Sequence, residues 1–113
     1  MRRSDSRRAH RLGDLVMREV ASMLVLETAD PRLELVTISG VRMNTDLTVA
    51  EVLYSAAGDE KRKAEIEKAL HKASGFLRGK LGQRLRIKKV PELRFIYDDF
   101  LEKMVYDKPH KND

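Results

Sequence analysis

The stretch LHKASGFLRGKLGQRLRIKKVPELR, residues 70–94, decides how this chain folds. Its apolar residues belong to a stripe that steps by three or four residues, the spacing of one helix face: Ile66, Leu70, Ala73, Leu77, Leu81 and Leu85. Gly75, Gly79 and Gly82 fall on the opposite face, where each costs a helix about 1 kcal/mol relative to alanine. A solvent-facing surface gives no packing reason for them. This pattern predicts that the helix kinks or ends near Gly75, or that a partner approaches its backbone closely.

Positive charge is concentrated in two segments of the chain, which carries +5 overall. Residues 1–18 hold six arginines and two aspartates, and residues 78–94 hold seven lysines and arginines with one glutamate. The remaining segments are net negative. Two basic segments on a near-neutral body indicate a protein that binds a polyanion such as nucleic acid. A solvated basic surface without a partner is the alternative.

Composition excludes several classes of site and location. The absence of cysteine rules out disulfides, thiolate metal sites and cysteine nucleophiles. No apolar run approaches the roughly 20 residues needed to span a bilayer. No apolar signal-peptide core follows the basic N-terminus. We therefore expect a cytoplasmic protein with no membrane contact, consisting of one domain over residues 1–106 and a short flexible tail over residues 107–113.

Periodicity predicts an α+β fold with the element order α-β-β-α-α-β. The predicted elements are helix 6–27, strand 35–43 with a bulge at Gly40, strand 48–55, helix 59–85 interrupted near Gly75, and strand 92–98. Ser4, Asp5 or Ser6 can cap the first helix, and Asp59 can cap the second. The long helical crossover between the last two strands allows them to pair in parallel. The helices are then expected to cover one face of a three-stranded sheet.

Six short motifs recur, in this order, in the bacterial ribosome-binding factor A family, and the resemblance covers roughly residues 3–106. They are Asp30-Pro31-Arg32-Leu33, Val36-Thr37-Ile38, Asp46-Leu47, Ala69-Leu70, Ala73-Ser74-Gly75-Phe76-Leu77-Arg78 and Pro91-Glu92-Leu93-Arg94-Phe95. The chain resembles that family, and the resemblance implies a KH-like (type II) single domain. In it, Ala73-Ser74-Gly75 takes the place of the Gly-x-x-Gly loop of KH domains.

The resemblance also implies a function. Members of the family are non-enzymatic assembly factors that bind the free small (30S) ribosomal subunit. They support maturation of 16S rRNA and processing of its 5′ region, notably in the cold. The expected partners are therefore the 30S subunit and 16S rRNA.

The RNA-binding residues are predicted around the glycine-bearing helix and in the basic N-terminus. A kink at Gly75 would free backbone N–H groups that can receive a phosphate. The predicted set is Lys68, Lys72, Ala73, Ser74, Gly75, Arg78, Lys80, Arg84, Arg86, Lys88 and Lys89, with Arg3, Arg7, Arg8 and Arg11 as a second contact. Phe76 and Phe95 fit core positions, and a core position is also preferred for Tyr54 and Tyr97. Recognition of RNA shape and backbone is therefore expected over recognition of base sequence.

No catalytic or metal site is predicted, no cofactor is expected, and we expect a monomer. Two other functions remain open. The basic segments could bind an acidic protein partner, which would make the chain a protein-interaction module. Alternatively, Asp46, Asp98 and Asp99 could hold Mg²⁺ in a metal-dependent ribonuclease.

Overall fold

Two helices and three strands follow one another in the order α-β-β-α-β in the computed structural model, which describes residues 1–4 and 6–100. The elements are α1 (Arg7–Leu26), β1 (Val36–Met43), β2 (Val49–Ala56), α2 (Glu60–Leu85) and β3 (Glu92–Tyr97). A 3-10 turn, Pro31–Leu35, connects α1 to β1. The predicted α+β fold is confirmed. The tail predicted at residues 107–113 lies outside the described residues.

The sheet has the strand order β1-β2-β3. β1 pairs antiparallel with β2, and the register shifts between Ile38 and Gly40, which confirms the predicted bulge. β2 pairs in parallel with β3, from Val49 opposite Glu92 to Tyr54 opposite Tyr97. A parallel pair needs a long crossover connection, and α2 supplies it. The end of β3 that the chain enters first therefore lies beside the β1–β2 turn.

Both helices bury an apolar face against one side of the sheet. The buried side chains of α1 include Val16, Val20, Met23 and Leu24, and those of α2 are Ile66, Ala69, Leu70, Leu77 and Leu81. Ala50, Val52 and Tyr54 of β2 alternate toward the same core. The apolar stripe predicted between Ile66 and Leu85 is thus the buried face of α2. Within the described residues, neither helix is both long enough and apolar enough to cross a membrane.

The predicted helix termini are confirmed by their caps. The Ser6 hydroxyl accepts a hydrogen bond from the backbone N–H of Ala9 at 3.1 Å. The Asp59 carboxylate accepts one from the N–H of Arg62 at 2.8 Å. At the other end of α2, Arg86 adopts the left-handed conformation with φ of 53° and ends the helix.

The predicted interruption of the helix near Ala73-Ser74-Gly75 is wrong, whereas a bend of a continuous helix there stays a prediction. α2 is one uninterrupted helix of 26 residues from Glu60 to Leu85, so the second and third predicted helices are a single element. Three glycines cost it about 3 kcal/mol in helix propensity. Burial of each large apolar side chain contributes about 1.5–3 kcal/mol, and such side chains lie on both sides of Gly75. Packing therefore outweighs propensity and keeps the helix continuous.

The three glycines of α2 differ in what surrounds them. Apart from the adjoining residues and backbone of α2 itself, no atom lies within 4 Å of the position that a Cβ would take at Gly75 or Gly79. At Gly82, a Cβ would lie 2.9 Å from Cγ2 of Val90. Gly82 therefore has a packing reason, the close approach of the segment that leads into β3. Gly75 and Gly79 have none within the described residues.

Replacing Gly75 or Gly79 with alanine should stabilise the fold. We expect each change to raise the free energy of unfolding by about 1 kcal/mol, because alanine favours the helix and meets no neighbour. Gly82→Ala should gain less or destabilise, because its methyl group displaces Val90. Urea denaturation of the three variants measures the difference. Equal effects at all three positions would contradict this assignment of the glycines.

Asp30 holds the start of the 3-10 turn. Its carboxylate accepts hydrogen bonds from the backbone N–H of Arg32 at 3.0 Å and from the Arg32 guanidinium at 3.0 and 2.6 Å. The side-chain hydrogen bonds from Arg32, followed by the backbone one, lower the pKa of Asp30 to about 2. Because the pKa is lower in the folded state, ionised Asp30 stabilises the fold above its unfolded pKa. That contribution is lost as the pH falls toward 2.

The variant Asp30→Asn isolates this charge, because asparagine retains a capping oxygen. We expect Asp30→Asn to unfold at a lower temperature than the wild type at pH 7. The difference should shrink as the pH falls from 4 to 2, where Asp30 becomes protonated in the folded state. Thermal unfolding followed by circular dichroism across this range measures it. A difference that stays constant down to pH 2 would show that the ion pair is not its source.

Candidate nucleic-acid interface

The two basic segments of the sequence meet at one end of the molecule. They flank a groove of about 650 Å³, here called the basic groove. Its lining residues are Arg8, Arg11, Leu12 and Leu15 of α1, Thr45–Thr48 of the β1–β2 turn, and Ile87–Lys89 before β3. The sequence shows two separate clusters of cations, and the fold makes them opposite walls of one groove.

Backbone hydrogen bonds at the β1–β2 turn hold both walls in place. On one side, the N–H of Ser4 donates to the carbonyl of Met43 at 2.9 Å and the N–H of Thr45 donates to the carbonyl of Arg2 at 3.1 Å. These bonds fix the chain just before α1. On the other side, the N–H of Glu92 donates to the carbonyl of Thr48 at 2.8 Å. The parallel pairing of β3 therefore delivers Lys88 and Lys89 to the same turn.

The basic groove carries four cationic side chains and one carboxylate. Arg8, Arg11, Lys88 and Lys89 are exposed, and none of them forms an ion pair with another described residue. The carboxylate is Asp46, which accepts hydrogen bonds from the Thr48 hydroxyl at 2.6 Å and from the Asn44 amide at 2.7 Å. Hydrogen bonding from Thr48 lowers the pKa of Asp46. The hydrogen bonds of the turn thus favour the ionised carboxylate of Asp46. The lining residues together still carry a net positive charge.

Arg78 fixes the segment that leads into β3. Its Nε donates to the carbonyl of Pro91 at 3.1 Å and its Nη2 to the carbonyl of Val90 at 3.0 Å. These bonds use two of the five N–H donors of a guanidinium. Arg78 therefore positions the neighbouring lysines and keeps its charge at the surface.

Arg84 occupies a different place from the one predicted. Its guanidinium forms ion pairs with Glu19 and Glu27 of α1, at 3.2 Å for Glu19. Arg84 lies on the same side of α2 as Leu77 and Leu81, at the helical spacing of three and seven residues. It joins the two helices, and its charge is balanced by two carboxylates. Arg84 therefore offers no unpaired charge to the candidate interface.

The remaining predicted cations are distributed around the two helices. Arg7 is exposed in the first turn of α1, and Arg86 is exposed at the end of α2. Arg3 pairs with Glu51 at 3.2 Å. The Lys80 ammonium lies 5.8 Å from the centre of the Phe76 ring. Arg7 and Arg86 leave their charge open to a partner, Arg3 is paired with a carboxylate, and Lys80 contacts only an aromatic ring.

A ridge of cations and glycines runs along the exposed face of α2. Lys68, Lys72, Gly75 and Gly79 are all exposed, at spacings of three and four residues. Ala73 and Ser74 are half-buried and flank this ridge. Because α2 continues through Gly75, the N–H groups that follow it donate within the helix. The structure therefore gives no support to a phosphate site on freed N–H groups, and what the glycines offer is close approach to the helix surface.

Phe76 was predicted to be a core residue and is 43% exposed. It lies one residue beyond the exposed Gly75, at the border of the buried face. The other aromatic residues agree with the prediction: Tyr54 is buried and packs edge-to-face on Phe95 and Tyr97, with ring centres 6.5 and 5.5 Å apart. The core assignment of Phe76 failed because its neighbour Leu77 already occupies the centre of the stripe.

The carboxylates required for a ribonuclease are not brought together. Asp46 lies in the β1–β2 turn beside Val49, whereas the N–H of Asp98 donates to the carbonyl of Tyr54 at the other end of β2. Val49 and Tyr54 are five positions apart along β2, which corresponds to about 17 Å. Among the described residues, no group of three or more His, Asp or Glu side chains could hold a metal ion.

Comparisons with known proteins all indicate the same family. The family model described as ribosome-binding factor A matches residues 8–107. Ribosome-binding factor A of Thioalkalivibrio sulfidiphilus is 42% identical over 99 residues, which cover 88% of this chain and 77% of that protein. Its counterpart in Staphylococcus saprophyticus is 38% identical over 112 residues, which cover 94% and 97%.

Solved structures share the fold. The crystal structure of ribosome-binding factor A from Thermus thermophilus superposes with a TM-score of 0.69 at 29% identity, covering 79% of this chain and 93% of that one. A homology model of T. thermophilus ribosome-binding factor A, fitted into a cryo-EM map of a complex of that protein with 30S, gives a TM-score of 0.67 at 31% identity, covering 80% of this chain and 94% of that one. The resemblance seen in the sequence is confirmed: the chain belongs to the ribosome-binding factor A family.

Proposed function

We propose that this chain is a non-catalytic assembly factor that binds the free 30S subunit. It supports maturation of 16S rRNA and processing of its 5′ region, including at low temperature. The observation that carries the proposal is the basic groove, in which cations from both ends of the domain line one surface. The complex named for the T. thermophilus relative supports the 30S subunit as the partner.

The basic groove suits the backbone of structured RNA. Its cations are long, flexible side chains on two walls, which can contact phosphates without reading bases. Double-stranded RNA hides its base edges in a deep, narrow groove, so proteins recognise it mainly by shape and by backbone contacts. Each phosphate neutralised by lysine or arginine releases counterions, so binding must weaken steeply as salt increases.

The ridge on α2 extends this surface. Lys68 and Lys72 add charge, and Gly75 and Gly79 leave the helix without side chains between them. A sugar-phosphate strand can therefore come closer to α2 here than at any alanine-bearing turn. Binding at the ridge and in the basic groove together would hold one rRNA conformation while assembly proceeds.

Co-sedimentation with purified ribosomal particles tests the proposal. We expect the protein to pellet with 30S subunits and to remain in the supernatant with assembled 70S ribosomes. The bound fraction should fall as salt rises. Equal binding to both particles would contradict a role in assembly. Salt-dependent binding to an acidic protein, with none to 30S subunits, would favour the protein-interaction alternative.

Replacing Lys88 and Lys89 with alanine tests the basic groove. We expect weaker binding to 30S subunits, and a plot of log affinity against log salt whose slope falls in magnitude by about 2, one per lysine. The control replaces Arg42 and Lys61, which are exposed and lie outside the basic groove. It removes the same charge and should keep the wild-type slope. Equal loss in both double variants would show that net charge alone, and not the groove, drives binding.

Replacing Gly75 or Gly79 with alanine tests close approach to α2. We expect affinity for 30S subunits to fall by about 10-fold, equivalent to about 1.4 kcal/mol, because a methyl group separates the strand from the helix. The control is Ala64→Met, which adds bulk on the same exposed face, three turns closer to the N-terminus of α2. It should bind like the wild type. If the glycine variants gain stability as described above but bind 30S subunits as tightly as the wild type, the ridge is not part of the interface.

A further inference from the structure

A second groove lies on α2, on the side opposite β3. It has a volume of about 650 Å³ and is here called the apolar groove. Its walls are the connection from α1 to the 3-10 turn and the middle of α2. Pro31, Leu33, Ala69, Ala73 and Phe76 supply its apolar surface. Of these, Leu33 and Ala69 are buried, whereas Phe76 stands 43% exposed at the edge.

The side chains that line the apolar groove carry no net charge, with Glu27 and Asp30 against Arg32 and Lys72, but the carboxylates are already paired. Its two carboxylates are each held by an arginine: Asp30 by Arg32 and Glu27 by Arg84. Lys72 also lines it and forms no ion pair with a described residue. Lys80 lies beside it, with its ammonium over the Phe76 ring. The rim therefore favours an anionic ligand, while the floor favours a flat apolar one.

We propose that the apolar groove holds one unpaired base of the RNA, stacked on Phe76, with its flanking phosphates on Lys72 and Lys80. This inference rests on the proposed function, since it assumes that the partner is RNA. It assigns to Phe76 a contact with a base, which the phosphate contacts of the basic groove do not provide.

Three observations favour a nucleotide as the occupant. An exposed aromatic ring flanked by cations is the arrangement that proteins use to bind single-stranded nucleic acid. A volume of about 650 Å³ is ample for one base, since sites for small ligands span about 300–1,000 Å³. Gly75 and Gly79, next to Phe76, have open space above them, so the sugar-phosphate strand can pass over the helix.

The apolar groove is continuous with the ridge on α2. Lys72 belongs to both, because it lines the apolar groove and is exposed one turn before Gly75. A strand that leaves a paired region along the ridge can therefore place its next base against Phe76. A peptide with an apolar side chain is the other possible occupant, and the experiment separates the two.

Affinity for 30S subunits should depend on the aromatic ring at position 76. We expect Phe76→Leu to weaken binding by about 5- to 100-fold, the range seen when a stacking side chain is removed. Phe76→Tyr keeps the ring and should bind within about twofold of the wild type. Ile96→Leu is the control, since Ile96 is an exposed apolar residue on the far face of the sheet. Wild-type affinity in Phe76→Leu, or equal loss in Phe76→Leu and Phe76→Tyr, would overturn the proposal.

A photo-crosslinking side chain at position 76 identifies the occupant. Benzoylphenylalanine placed there should join the protein to 16S rRNA, at a nucleotide that is unpaired in the subunit. The same group at position 96 should give no rRNA product. A crosslink from position 76 to a ribosomal protein would overturn the proposal in favour of a peptide. If the wild-type protein fails to bind 30S subunits, the proposed function itself fails. If the wild-type protein binds but replacing Phe76 changes nothing and position 76 gives no rRNA crosslink, only this inference is overturned.

Discussion

Parallel pairing between β2 and β3 is the constraint on which the rest of the structure depends. It forces the chain to cross the sheet through α2 and to re-enter at the end where β1 turns into β2. The N–H of Glu92 secures that entry by donating to the carbonyl of Thr48. The segment with Lys88 and Lys89 therefore faces the start of α1. The basic groove is a consequence of topology, because neither basic segment could form it alone.

The same crossover explains why a helix with three glycines survives. Burial of side chains such as Leu70 and Leu77 on both sides of Gly75 outweighs the propensity cost. Gly82 admits Val90 and so lets the chain turn back toward β3. Gly75 and Gly79 serve no contact within the described residues. These two glycines lower the stability of the fold, and such a loss is common where activity or binding constrains a surface.

Local signals in the sequence predicted most of the fold, whereas the arrangement of the candidate site depended on tertiary contacts. A one-residue slip in the alternation predicted the bulge at Gly40, and short polar residues predicted the caps at Ser6 and Asp59. Periodicity could not show which element faces each side of α2. Arg84 was therefore assigned to RNA although Glu19 and Glu27 hold it, and Phe76 was assigned to the core although it is exposed. The convergence of the two basic segments follows from strand pairing, which composition does not reveal.

A cryo-EM structure of this protein bound to the 30S subunit tests most directly whether the basic groove binds rRNA. In that structure we expect rRNA backbone in the basic groove, with phosphate oxygens within about 3 Å of the side chains of Arg8 or Arg11 on one wall and of Lys88 or Lys89 on the other. A bound protein whose basic groove faces solvent, or contacts only ribosomal protein, would contradict it.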